Sequence, residues 1–180
     1  QKAKQFIIGK LKIVKIKNIL IVTGIFPPDI GGPATYGATI ESALKKRGFG
    51  VKVAVYSRTG RGLPRGLRHI VFFLKLLPLV RKSDVILSLN AVSAGFPALL
   101  AAKLFKKKFI VRIVGDYAWE MSAGKGKTNL LIDDFQKAPK KGWIGTLSKL
   151  QAWACREADK VIVPSEYLAG IVRGWGVSED

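Results

Sequence analysis

Asn18-Ile-Leu-Ile-Val-Thr-Gly-Ile-Phe-Pro-Pro-Asp-Ile-Gly-Gly-Pro-Ala-Thr-Tyr36 is the stretch whose reading decides the fold. Ile19, Leu20, Ile21 and Val22 are continuous rather than alternating, so residues 18–24 are predicted to form a buried parallel strand. Pro27 and Pro28 end that strand and stiffen the loop, because proline lacks the amide and fixes φ. Gly31 and Gly32 permit positive φ and close approach of another group to the backbone. Pro33 suits the first turn of a helix, and Tyr36, Ile40, Ala43 and Leu44 give that helix its apolar stripe. Lys45, Lys46 and Arg47 close it against the helix dipole, and Gly48 ends it. Helix-start amides in such a junction face the carboxyl end of the strand, where an anion is favoured.

The same alternation continues along the chain. Val51–Tyr56 is a second strand by its period of two, followed by a Gly- and Arg-rich loop over 57–66. Residues 67–82 read as a helix whose apolar face carries Leu67, Ile70, Val71, Leu74 and Leu77. Asp84–Leu89 is a third strand, a helix starts at Pro97, and Phe109–Val114 is a fourth strand. Between Gly115 and Gly142 the periodicity is lost, which predicts an extended loop with a short helix. A helix over about 146–158, with Leu147, Leu150, Ala154 and Ala158 inward, leads to a strand at 160–164, and Ser165 caps a last helix. Strands alternating with helices predict an α/β fold, a Rossmann-like parallel sheet with helices on both faces. Ligands on such sheets bind at the carboxyl ends of the strands.

At 180 residues and 48% hydrophobic, the chain suits one well-cored domain over residues 18–180. Residues 1–17 form a basic arm whose Lys/apolar alternation fits an extra strand or a poorly ordered terminus. A single cysteine, Cys155, excludes an intrachain disulfide and points to a reducing, cytoplasmic setting. The net charge of +19 is unevenly distributed: residues 1–115 hold 22 Lys/Arg against 3 Asp/Glu, and residues 116–180 hold 9 of each. No acidic residue occurs between Glu41 and Asp84. This asymmetry predicts an anionic partner, with Arg58, Arg61, Arg65, Arg68, Lys75, Arg81, Lys82, Lys106, Lys107 and Lys108 as its surface. No stretch is apolar and long enough to span a bilayer, so any membrane contact is peripheral, on the inner face of the cell membrane.

Several functions fail on spacing. Gly24, Gly31 and Gly32 do not make G-x-G-x-x-G, and the second strand ends Tyr56-Ser57-Arg58 without the ribose-binding carboxylate, which disfavours nicotinamide enzymes. Gly126-Lys127-Thr128 imitates a P-loop, but Met121 stands where the earlier glycine is required. His69, the only histidine, lies on a predicted helix away from any strand end, so Ser-His and His-metal chemistry are absent and no metal is expected. Nucleic acid is disfavoured, because no RNA-binding motif with stacked aromatics accompanies the basic clusters.

The opening junction resembles the first strand, Gly-Gly loop and helix of glycosyltransferase family 4, enzymes of the GT-B fold. Ser83–Leu89 resembles that family's third strand, with Asn90 where a histidine is often found. Phe109–Asp116 resembles the next, with Val114 in another histidine position. Gly115-Asp-Tyr-Ala-Trp-Glu120 is similar to a variant found at that strand end, and Glu157–Leu168 resembles the family's strand-to-helix junction. The resemblance runs over roughly 18–177 and implies the amino-terminal, acceptor-side half of a retaining glycosyltransferase. It implies a nucleotide-sugar donor, UDP- or GDP-linked, no metal, and acceptors that are often lipid-linked.

On the same resemblance, Gly31, Gly32, Pro33 and Thr35 form a loop near the donor diphosphate or the acceptor. As residues alone, the two glycines also fit a simple turn. Asp116 and Glu120 are the candidate catalytic pair, positioning an acceptor hydroxyl or acting as base, and they equally fit loop carboxylates paired with Lys or Arg. Asn90, Tyr117, Trp119, Ser165 and Glu166 are assigned to the acceptor cleft, with ring packing the alternative for the aromatics and helix capping for Ser165 and Glu166. The family's donor site lies chiefly in a carboxyl-terminal domain with an E-x7-E motif, and no such pair occurs here. The donor domain is therefore expected to be absent from this chain and the chain by itself inactive, binding no cofactor. The alternative reading is a non-enzymatic basic module that binds anionic membrane or nucleic acid.

Overall fold

The computed structural model describes residues 6–8, by their backbone, and residues 16–178. Strands β1 (Phe6–Ile8), β2 (Asn18–Thr23), β3 (Gly50–Val55), β4 (Val85–Ser88), β5 (Lys108–Arg112) and β6 (Lys160–Val163) form one sheet in the order β1-β6-β5-β4-β2-β3. Strands β2 to β6 are parallel, while β1 pairs antiparallel with β6 at one edge. Residues 9–15, which hold most of the basic Lys/apolar alternation, lie outside the described residues. The helices are α1 (Gly32–Lys46), α2 (Arg65–Arg81), α3 (Gly95–Leu104), α4 (Tyr117–Ala123), α5 (Ile132–Lys137), α6 (Gly142–Arg156) and α7 (Glu166–Gly174). The architecture is the α/β, Rossmann-like arrangement that the alternation of strands and helices predicts.

Strand β2 sits between β3 and β4, so the chain leaves it in one direction first and in the other afterwards. Such a switch point opens a crevice at the carboxyl ends of the two diverging strands. Two cores hold the sheet. The larger joins Leu20, Val22, Ile86, Phe109, Val111, Val161 and Val163 to residues of α2, α3, α6 and α7. The smaller joins Ile19, Ile21, Leu87 and Leu89 to Tyr36, Ile40 and Leu44 of α1. Successive residues of β2 thus face opposite cores, which is why its apolar run is unbroken.

Two aspartates repeat one device at the amino ends of these strands. Asp84 takes hydrogen bonds on Oδ2 from the Lys17 and Asn18 amides at 2.8 and 2.9 Å, while its own amide donates to the Asn18 carbonyl. Asp159 takes one from the Phe109 amide at 2.9 Å and pairs with Lys108 at 2.6 Å, while its amide donates to the Phe109 carbonyl. Each clasp fixes the register of a strand against its neighbour.

Helix α2 departs from its sequence reading. Phe72, Leu76 and Val80, at 1%, 0% and 0% exposure, form the face packed on the sheet. Leu67, Ile70 and Leu74 of the expected apolar face are 52%, 55% and 56% exposed. The helix has two apolar faces, and periodicity alone cannot rank them. Helix α3 begins at Gly95, before Pro97, because Asn90 Oδ1 accepts from the Ala94 and Gly95 amides at 3.0 and 3.2 Å. A Cβ at Gly95 would collide with the Asn90 carbonyl, so this turn requires glycine. Helix α6 likewise starts earlier than expected, at Gly142.

Candidate functional site

Beyond the switch point lies a cleft of about 210 Å³, lined by Gly24, Ile25 and Pro33 from the first junction and by Leu89–Ser93 after β4. Arg112–Gly115 after β5, Tyr117 and Glu120 of α4, and Gln151 of α6 complete it. Of the expected site residues, Pro33, Asn90, Tyr117 and Glu120 therefore come together. Gly31, Gly32, Thr35, Asp116, Trp119, Ser165 and Glu166 do not line this cleft.

At the first junction only one glycine of the pair is demanded by geometry. Gly31 caps α1 with φ of 151°, and a Cβ there would press on Ile25 of the cleft wall at 2.9 Å. Gly32 has open space where its Cβ would lie. Thr35 is exposed, with its hydroxyl donating to the Gly31 carbonyl at 3.4 Å. Arg58 donates to the Phe26 and Pro27 carbonyls, and Asp29 accepts from the Ser57 hydroxyl at 2.8 Å. The Ser57 hydrogen bond first, then the Phe26 amide and the charges of Arg58 and Arg61, lower the Asp29 pKa.

The carboxylates expected to act as a pair have separate situations. Asp116 is fully buried as the N-cap of α4, with Oδ1 accepting from the Trp119 amide at 3.0 Å and from Gln151 Nε2 at 3.1 Å. Its Oδ2 accepts from Gln136 Nε2 at 2.7 Å. Glu120, one turn further along the same helix, lines the cleft with part of its side chain open to solvent and its carboxylate set close against Gly115. Loss of water contact, and then the nearby charge of Asp116, raise its pKa above the ordinary value. A Cβ at Gly115 would run into the Glu120 carboxylate, so this glycine makes room for it.

Other expected residues have structural engagements. Asn90 Oδ1 caps α3, and its Nδ2 faces Gly24 across the cleft. Trp119 Nε1 donates to the Leu130 carbonyl at 2.9 Å. Ser165 Oγ accepts from the Leu168 amide as the N-cap of α7, and Glu166 pairs with Arg173. Glu166 borders a wider open trough of about 970 Å³ between α5, α6 and α7, which shares no residue with the switch-point cleft. Val114, in a position where the resembled family often has histidine, is exposed in the cleft and offers no proton.

Three residues were missed in the sequence. Gln151 is 1% exposed, donates to Asp116 and accepts from the Tyr117 amide at 2.8 Å. Its place four residues after Leu147 and three before Ala154 marked it as a polar group on the inward face of α6. Gln136 links Asp116 to Trp175, whose Nε1 donates to Gln136 Oε1 at 3.0 Å, and no periodicity announces it. Arg112 ends β5 in the cleft with its guanidinium 3.8 Å from the centre of the Tyr36 ring. It makes no ion pair among the described residues. Cys155 is buried, and loss of solvation pushes its thiol up to about 12, an inert state.

A comparison with individually curated proteins found no match. A family model described as a glycosyl transferase 4-like domain matches residues 31–180. That match takes in α1 and every later element, so the chain belongs to the glycosyl transferase 4-like domain family.

Proposed function

We propose that this domain forms the acceptor wall of a retaining glycosyltransferase, the donor nucleotide-sugar being held by a domain outside these 180 residues. The observation that carries the reading is the convergence of Glu120, Arg112, Tyr117 and Asn90 on one cleft at the switch point. Glu120 is the base. The acceptor oxygen bonds to the anomeric carbon of the sugar on the same face from which the diphosphate departs, as the bond from that carbon to the diphosphate breaks, so the anomeric configuration is kept. The hydroxyl proton passes to the Glu120 carboxylate, and the nucleotide leaves as its diphosphate. A carboxylate whose pKa is raised holds such a proton more readily than an ordinary one. Asp116 acts through position: buried and fully hydrogen-bonded, it fixes the start of α4 and hence the place of Glu120. Arg112 supplies the cation for a charged acceptor, such as a phosphate-linked lipid, and Tyr117 gives a face for a sugar ring.

The test is sugar transfer by the polypeptide that carries both domains. Glu120→Gln is expected to lower kcat by about 10²–10⁴-fold with a small effect on the acceptor KM. The acid limb of the wild-type pH profile should lie above the ordinary glutamate value of about 4.3, because the carboxylate must be ionised to accept the proton. That limb should vanish in the variant. Unchanged turnover in Glu120→Gln would remove Glu120 as the base.

A further inference from the structure

We infer that the outer face of α2 and α3 docks on an anionic phospholipid bilayer. It stands apart from the sugar-transfer reading, since its apolar residues share no position with the cleft. Leu67, Ile70 and Leu74 project from α2, and Leu100 and Leu104 project from α3 beside it, with Leu63 just ahead of α2. All six are large, apolar and exposed. An apolar hollow of about 160 Å³ between the helices, lined by His69, Ile70, Phe73, Phe96, Pro97 and Leu100, joins the two rows. Isolated exposed leucines are ordinary, but a contiguous ridge marks an interaction surface.

Charge selects the occupant. Neither helix contains an acidic residue. Asp84, just after α2 in the chain, is engaged by two backbone amides, and Glu157 pairs with Lys103 of α3. Lys75, Arg81, Lys82 and Lys106 around the ridge are exposed and make no ion pair among the described residues. A second copy pressed on this face would bring the same cations together. A bilayer with anionic headgroups instead takes up leucines and cations at once, the pattern of a helix lying in the interface. The helices lie on such a surface rather than crossing it, because no helix among the described residues is long and apolar enough to span.

Co-sedimentation of the 180-residue chain with vesicles tests the inference. Vesicles of phosphatidylglycerol in phosphatidylcholine are expected to bind the protein at low salt, and phosphatidylcholine alone to bind at least about tenfold less. The combined variant Leu67→Gln, Ile70→Gln and Leu74→Gln should weaken binding by about tenfold or more. These side chains are exposed, so its circular dichroism should match the wild type. Lys75→Gln with Arg81→Gln and Lys82→Gln should weaken binding and flatten its salt dependence. Ile70→Trp should show a blue-shifted emission on adding anionic vesicles. Wild-type affinity in the leucine variant, or no vesicle binding at low salt, overturns the inference. A dimer in light scattering that the leucine variant dissolves, without vesicle binding, assigns the face to a second copy and also overturns it.

Discussion

Asp84 shows how a residue can serve the fold at a conspicuous position in a motif. Its carboxylate accepts from two amides at the entry to β2, and those bonds, the Asn18 amide first and the Lys17 amide next, lower its pKa. The ionised form is the one the fold stabilises, so the contribution is complete above the ordinary aspartate value of about 3.9. It is lost as pH falls through the lowered value in the folded chain. Asp84→Ala is expected to cost about 1 kcal/mol at pH 7, the scale of a partly exposed charge-assisted hydrogen bond. Urea titration at pH 7 and again at successively lower pH, below the ordinary aspartate value, checks this: the gap between variant and wild type should shrink as the pH falls. A gap independent of pH would mean that the charge plays no part. Asn90 teaches the same lesson, because the side chain that lines the cleft is also the cap that starts α3.

At the scale of the element, α2 is the informative case. Its apolar residues are numerous enough to satisfy two faces, and the sheet uses only the row Phe72, Leu76 and Val80. Phe72→Ala should therefore cost about 3–5 kcal/mol, as for other large cavities left in a packed core. Leu74→Ala, on the outward row, should change stability by no more than about 0.5 kcal/mol. Paired denaturant curves would separate the two, and equal losses would mean that the outward row is packed in the free protein. Helices α1 and α7 were more legible, because one stripe in each dominates and their caps sit where the chain changes period. The stretch 115–142 was not, since α4 and α5 are seven and six residues long, below the length at which a period of 3.6 stands out.

Across the whole molecule, the cleft is tied to the body by a chain of polar groups that is buried at Asp116 and Gln151 and partly exposed at Gln136 and Trp175. Asp116 of the α4 cap, Gln151 of α6, Gln136 of α5 and Trp175 at the end of α7 form one hydrogen-bonded chain. Low polarity around it strengthens each bond and makes a missing partner expensive. Gln151→Leu removes a donor to Asp116 and the acceptor of the Tyr117 amide, and should cost about 2–3 kcal/mol. The urea midpoint should fall with its slope unchanged, since the exposed area on unfolding is the same. A loss below about 0.5 kcal/mol would show that water replaces the side chain without cost.

The sequence by itself determined the order of strands and helices, the parallel sheet, the basic first part and the Gly31 turn. These are local or periodic properties, written in runs of neighbouring residues. Asp116 and Glu120 were also visible together, four residues apart on one short helix, yet their neighbourhoods were not. Burial and three hydrogen bonds hold the first in place, while the second reaches the cleft. Arg112 joined the cleft, and Gln136 the hydrogen bonds that hold Asp116, from positions with no periodic signal, and the outward row of α2 became a surface only after Phe72 and its neighbours had taken the core. Such outcomes depend on which residues, distant in the chain, compete for the same volume. Only the tertiary structure decides that competition, because burial and hydrogen-bond partnership belong to pairs of segments rather than to either segment alone.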